Sequence, residues 1–502
     1  MKALIPIVLL ASASAFASPT HMTSTLAPWQ ADAFVAGWDG LHHRVVANRR
    51  SADGGFDAWW LDESSGAALR CITCSLPGAA NLQRGASDVM PGGEWIVATM
   101  EKSSHPGALG DGAAEPGRGV YNDVYLVSSD GARQVQLTNV PADGEHGVIW
   151  ARIDRSGTQL VWAEMRQGAN LWVPKQLAGV WSLELANIVW SNGTPSLANV
   201  RTYDPEPGNF YEPYGFSPDG TQILFASSIG VGGFYESQLY RVSTSLTGLQ
   251  RLTENVVGGP GWSNYNEFAF YLADGQHIVY GRSREATSGG LDYWVMQADG
   301  THAERLTYLN EPWHGQSHGY SVVGGWAVDP SNPDHVLFSF CSAITCSGGT
   351  AMSMTLTSHA TAGGTGLTGS YYRDRSWAQL AFSRVDAGVG FNWADAPDPR
   401  MPSDNFAIRW TGSVTPRTTG WHLMCVSSDD GARLWVAGWL LVDAWHDQMT
   451  TNYCNWSWLA AGQPAPIQLD YYDAFGTNPS VKLSWIDPQG IQELVPAGQL
   501  FR

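Results

Sequence analysis

The chain has 502 residues, with 28 basic and 46 acidic side chains and a formal charge of −18. That balance disfavours nucleic acid and anionic membrane surfaces as partners, and the length points to two domains. Only 15% of the residues are charged, while 56 are glycine and 24 tryptophan, which predicts an all-β chain with many turns and aromatic cores.

The first element is a leader. MKALIPIVLLASASAFAS carries Lys2, an apolar run over 3–10 and AFA ending at Ala17, the pattern of a cleaved secretory signal over residues 1–17. The run is too short to cross a bilayer, and no later stretch is long and apolar enough to do so. The chain is therefore expected to be secreted or periplasmic, without a membrane span. Export sets the reading of six cysteines: neighbours in sequence give disulfides Cys71–Cys74, Cys341–Cys346 and Cys425–Cys454 as the simplest pairing. CITC at 71–74 has no second CxxC or nearby histidine to complete a zinc site, so a bridge is favoured there.

A repeat then occupies residues 31–357. GFSPDGTQILFASS at 215–228 recurs as AFYLADGQHIVYGRS at 269–283, and more loosely as ARIDRSGTQLVWAE and DVMPGGEWIVATM. Each is a strand, a tight Asp/Gly turn and an alternating strand. A second phrase follows at a distance, as in SQLYRVSTSLTGLQRLT and LDYWVMQADGTHAERLT. The turn glycines Gly40, Gly93, Gly157, Gly220 and Gly275 lie 53 to 64 residues apart, and Pro333 continues the series. Six units of four strands predict a propeller. The two phrases resemble the TolB-like six-bladed propeller. Such propellers also occur fused to α/β-hydrolase peptidases, but no nucleophile elbow is expected here, because the C-terminal third alternates like strands without helical periodicity.

Equal offsets in a repeat imply equal places around the channel. Glu212 and Glu267 each lie eight residues before their turn glycine, so both are expected at one solvent-filled channel mouth on adjacent blades. Glu145 and His146 precede the third inner strand, and His314 and His318 the sixth. Acid and imidazole groups converging there could bind a divalent metal or a sugar acid. HGQSHG at 314–319 faintly resembles oligogalacturonate lyases, which use histidines, a glutamine (here Gln316) and manganese, although the spacing is not that family's. A transition metal in the propeller is not the favoured reading.

After a Gly/Thr/Ser-rich linker at 358–365 the repeat stops. GLTGSYY, RWTG, SDDGARLWV and VDAW then follow in order within 366–502. This region resembles the PA-fourteen domain, named for the anthrax protective antigen, a β-sandwich often attached to glycosidases and adhesins. In the fungal adhesins of that family, adjacent aspartates joined by a cis peptide hold a calcium ion that ligates sugar hydroxyls. The resemblance implies that role for Asp429 and Asp430; read from the residues alone, DDG is also a good hairpin turn. Asn452, Asn455 and Asp473 are further ligand candidates by loop location, and Trp456 and Trp458 could form a sugar-stacking platform or belong to the core. Ala437 departs from the family, which usually has a polar residue before this hairpin glycine.

The sequence thus predicts an all-β chain, a six-bladed TolB-like propeller followed by a PA-fourteen-type β-sandwich. The expected function is calcium-dependent binding of a polysaccharide or glycoconjugate, with a cell-surface protein as a second kind of partner. A metal-dependent polysaccharide lyase or hydrolase acting in the propeller channel is the first alternative, and an extracellular structural or assembly component the second.

Overall fold

The computed structural model describes residues 20–502 except 53, 79–80, 107–118, 171, 177, 255–264, 284–289, 312–313, 333, 343–348, 361–363, 394, 477–478 and 489. The leader and Cys346 therefore lie outside the described residues. No α-helix occurs among those described, so none is long and apolar enough to cross a membrane.

Six antiparallel sheets follow one another along residues 34–360. Blade 4 is typical: Tyr211–Phe216, Gln222–Ser227, Gln238–Ser243 and Gln250–Arg251 pair in chain order. Its first two strands are joined at the SPDG turn, where Gly220 takes φ 71°, a left-handed conformation that glycine adopts without a Cβ clash. Each blade's first strand neighbours those of the blades before and after it, and the sixth meets the first, so the ring is closed. Closure uses a strand ahead of the expected start. Thr20–Ala31 pairs antiparallel with Thr350–Ala360, from Thr20 opposite Ala360 to Ala31 opposite Thr350, and is the outermost strand of blade 6. The repeat could not reveal it, because this strand precedes its own blade by some 300 residues and reads as an isolated segment.

All six inner strands carry a register shift at the same level, between Val35 and Gly37, Ala86 and Asp88, Ile149 and Arg152, Pro213 and Gly215, Glu267 and Phe270, and Val323 and Trp326. A bulge re-aims the side chains around it. Trp326 of blade 6 reaches Trp150 of blade 3, Tyr214 of blade 4 and Phe270 of blade 5, at ring distances of 5.9, 5.6 and 5.6 Å. A side chain that touches the opposite blade must lie on the ring axis. Arg152 of blade 3 likewise donates to Ala36 O of blade 1 (3.2 Å) and to Ser87 O of blade 2, and its guanidinium covers the Trp326 ring at 4.4 Å. The channel is filled with aromatic rings and one cation at this level.

Residues 367–501 form two facing sheets. One is built around Phe406–Val414 and Ala465–Asp473; the other pairs Gly390–Asn392, Ser480–Ile486, Gly420–Asp429 and Thr451–Leu459 in that order. Trp410, Tyr371, Phe406, Tyr471 and Trp485 are fully buried between them. Cys425 stands opposite Cys454 in the ladder and is bonded to it, and Cys71 is bonded to Cys74.

The sandwich docks on blade 5 and on the segment that leads from it to blade 6. Lys482 Nζ donates to buried Glu311 (3.1 Å), which also receives Arg305 (2.8 Å), while Arg305 holds Asp292 (2.7 Å). His314 Nε2 meets Gln492 O at 2.6 Å, and Leu494 N donates to the Tyr308 hydroxyl at 3.1 Å.

Candidate metal and ligand site

Gly420–Asp429 and Ala432–Val436 belong to different sheets, and the chain crosses between them at Asp430–Gly431. Gly431 is confined there: a Cβ would lie 2.2 Å from the Tyr472 ring. Tyr472 N donates to Gly431 O at 3.0 Å, which draws the end of Ala465–Asp473 against the turn. Asp473 thereby joins the pair. One oxygen from each of Asp429, Asp430 and Asp473 lies within 4.8 Å of the others.

The three carboxylates differ. Asp430 is buried and accepts the backbone N–H of Gln448 and of Ala474, each at 2.8 Å. Its own carbonyl accepts Ser428 Oγ (2.7 Å) and Gln448 Nε2 (3.1 Å). Asp429 has a looser contact with Thr450 Oγ1 at 3.5 Å, and its carbonyl accepts the Tyr471 hydroxyl at 2.5 Å. The Asp429–Asp430 peptide is cis. Asp473 is 2% exposed, and its Oδ2 has no hydrogen-bond partner. Burial, then the charges of Asp430, Asp404 and Asp429, push the Asp473 carboxyl up to about 7. Burial and the charge of Asp430 raise that of Asp429. Like charges at this distance disfavour joint ionisation unless a cation lies among them.

Of the further ligand candidates, the fold brings Asp473 to the pair, while the side-chain nitrogens of the other two have partners of their own. Asn452 Nδ2 contacts Cys454 Sγ and Asn455 Nδ2 donates to Leu441 O. Sequence reasoning missed Asp404, which acts on Asp473 and accepts Gly476 N at 3.1 Å. It also missed the rim. Phe475, 74% exposed, follows Asp473 by two residues, and Met449, 84% exposed, lies between the Gln448 and Thr450 that contact the pair. An exposed phenylalanine next to a strand-end aspartate leaves a weak signal in sequence; Met449 leaves none.

Trp456 and Trp458 are exposed, but elsewhere. They stand opposite Leu423 and Trp421, six or more residues along the strand from Asp429, about 20 Å at the usual rise. They form a separate aromatic strip with Trp421.

The expected channel mouth is corrected more deeply. Glu212 and Glu267 do sit on the first strands of adjacent blades, and both charges help burial to hold the Tyr214 hydroxyl well above its ordinary range. They are buried rather than solvent-filled, because the bulges turn the aromatic plug over them. Glu212 accepts Trp150 Nε1 and the Tyr214 hydroxyl, the latter at 3.0 Å. Glu145 is exposed and accepts Gly168 N (2.5 Å), and His146 pairs with Asp143 (2.9 Å). His314 is buried under the sandwich, stacked on Tyr308 at 4.3 Å, and burial lowers its pKa. His318 packs on Phe340, and Gln316 binds Tyr308 N and Ser24 O. HGQSHG thus fastens the N-terminal strand and the sandwich to the propeller. Its Gly315–Gln316–Ser317–His318–Gly319 also matches Gly-x-Ser-x-Gly in letters. The match lacks the strand-to-helix turn that makes such a serine nucleophilic.

Residues 363–499 match the PA14 domain family. The chain is 35% identical over 139 residues to Anti-sigma-I factor RsgI3 of Acetivibrio thermocellus, a match that covers 28% of this chain and 21% of that protein. The chain thus spans about a fifth of the length of that curated relative. Among solved structures, the PA14 sugar-binding domain from an RTX adhesin is 14% identical and covers 27% of this chain and 97% of its own, with a TM-score of 0.24. A putative TolB from Agrobacterium tumefaciens is 14% identical and covers 58% and 89%, with a TM-score of 0.38.

Proposed function

We propose that this chain is an exported glycan-binding protein whose PA14 domain takes calcium on Asp429, Asp430 and Asp473 and recognises sugar through it. The observation that carries the reading is the meeting of three carboxylates around the buried, unpartnered Asp473 Oδ2. An all-oxygen, triply acidic donor set suits a hard divalent cation and is a poor fit for a soft one. When bound, calcium would offer coordination positions that exchange water for sugar hydroxyls. Asp430 would be held in place by the Gln448 and Ala474 N–H groups, and Phe475 and Met449 would provide apolar contact beside the ion. The match of residues 363–499 to the PA14 domain family supports the same reading. The propeller would act as the rigid base on which the domain is docked, at a cell surface or in an extracellular matrix.

A glycan array on the intact chain tests this, run with calcium, with EDTA and with Asp429→Asn. That substitution leaves the backbone hydrogen bonds to Asp430 intact. Glycans bound by wild type in calcium but lost in both other conditions are expected. Binding through Asp429 that is indifferent to chelation would sink the calcium reading.

A further inference from the structure

Blade 3 differs from blades 4 and 5 in its outer hairpin. Its outer strands, Val180–Ser191 and Thr194–Tyr203, have 12 and 10 residues, where blade 4 has 6 and 2 and blade 5 has 7 and 2. The added length projects beyond the blade, and Trp190 is 44% exposed on it. The hairpin tip is held over blade 2 by Arg133, whose Nη2 donates to Gly193 O at 2.8 Å. Beneath it lies a cleft of about 560 Å³, within the size range of small-ligand pockets.

Its lining is distinctive. Trp95 and Trp190 face each other at 5.6 Å and 57°, with the Arg133 guanidinium 4.9 Å from the Trp95 ring. Glu94, Ser156 and Thr158 supply polar groups at the edge. We propose that this cleft is a second, calcium-independent binding site, for a neutral pyranose oligosaccharide. A pyranose presents a C–H face that packs on an indole and a hydroxyl belt that pairs with carboxylate, guanidinium and hydroxyl groups; the cleft offers both within one ring's reach. The two indoles pack on each other, which fixes the rings, and the exposed part of Trp190 is left as the face on which one sugar ring can stack. Neutrality follows from charge: the lining holds one cation and one anion, and a chain of net −18 repels polyanions. Aromatic grooves also take proline-rich peptides, but the polar edge here matches the hydroxyls of a sugar.

The test uses the intact chain in EDTA, so that the aspartate site is silent and its failure stays separate. Intrinsic tryptophan fluorescence is titrated with cellohexaose, xylohexaose, mannohexaose and decaproline. At least one hexasaccharide should bind saturably, with Kd raised about tenfold or more by Trp190→Ala and weakened by Arg133→Gln. Trp458→Ala, on the other domain, should leave it unchanged. No binding of any hexasaccharide, binding indifferent to both cleft substitutions, or Trp190-dependent binding of decaproline alone would each overturn the proposal.

Discussion

Asp473→Asn separates the electrostatic account of the aspartate cluster from a purely structural one. In the calcium-free fold the Asp473 carboxyl is pushed from about 3.8 to about 7, by burial and by the charges of Asp430, Asp404 and Asp429. A raised pKa means that the folded state holds this proton more tightly than the unfolded chain does. Stability from this group is therefore full below about pH 4 and is lost as pH rises towards 7. The displacement corresponds to about 4 kcal/mol. The sharing of one repulsion among three coupled carboxylates brings the part carried by Asp473 alone to about 2 kcal/mol. Asparagine keeps the shape and removes the charge. In EDTA at pH 8, Asp473→Asn should raise the melting temperature of the PA14 transition by roughly 6–10 °C, with little effect at pH 4. Calcium should stabilise wild type, by about 2.7 kcal/mol at a hundred times Kd, and the variant much less. Calorimetry on the intact chain at the two pH values reads both effects. A variant less stable than wild type at pH 8, with an undiminished calcium response, would refute the reasoning.

Glu212→Ala removes the acceptor of Trp150 Nε1 and of the Tyr214 hydroxyl and should destabilise the propeller by about 2–4 kcal/mol in denaturant titrations. A stability gain would mean that like-charge repulsion with Glu267 dominates. Glu311→Gln weakens the ion pairs to Lys482 and Arg305, at a cost of about 1–3 kcal/mol; the propeller and PA14 transitions should separate on heating and proteolysis between the domains should quicken, and an unchanged cleavage rate would count against the docked arrangement. Ala437 (φ 52°) and Gly438 (φ 85°) form a two-residue hairpin turn between Val436 and Trp439. Asparagine tolerates that conformation better than alanine, so Ala437→Asn should raise stability by about 0.5–1 kcal/mol, measured by thermal melting.

The blade pattern was legible because a propeller writes the same strand–turn–strand unit six times, and the turn glycines keep its phase. The closing strand Thr20–Ala31 was not, since its partner Thr350–Ala360 lies at the far end of the domain. Equal offsets correctly set Glu212 and Glu267 on neighbouring blades. They said nothing of the bulges that bury them beneath Trp326 and Tyr214, because a bulge here depends on what fills the axis. The aspartate pair could be read from DDG through resemblance, while Asp473 belonged only to a list of loop candidates. It joins the pair through the contact of Tyr472 with Gly431, a tertiary fact. His314 and His318 looked like site residues for their chemistry; burial under Gln492 and packing on Phe340 give them a structural use instead.

Calcium titration of the intact chain by isothermal calorimetry, wild type beside Asp429→Asn, tests the central claim most directly. The account predicts one calcium per wild-type chain in the PA14 domain and an affinity reduced about tenfold or more by the substitution. Equal calcium affinity in the two proteins, or no calcium bound by either, would contradict it.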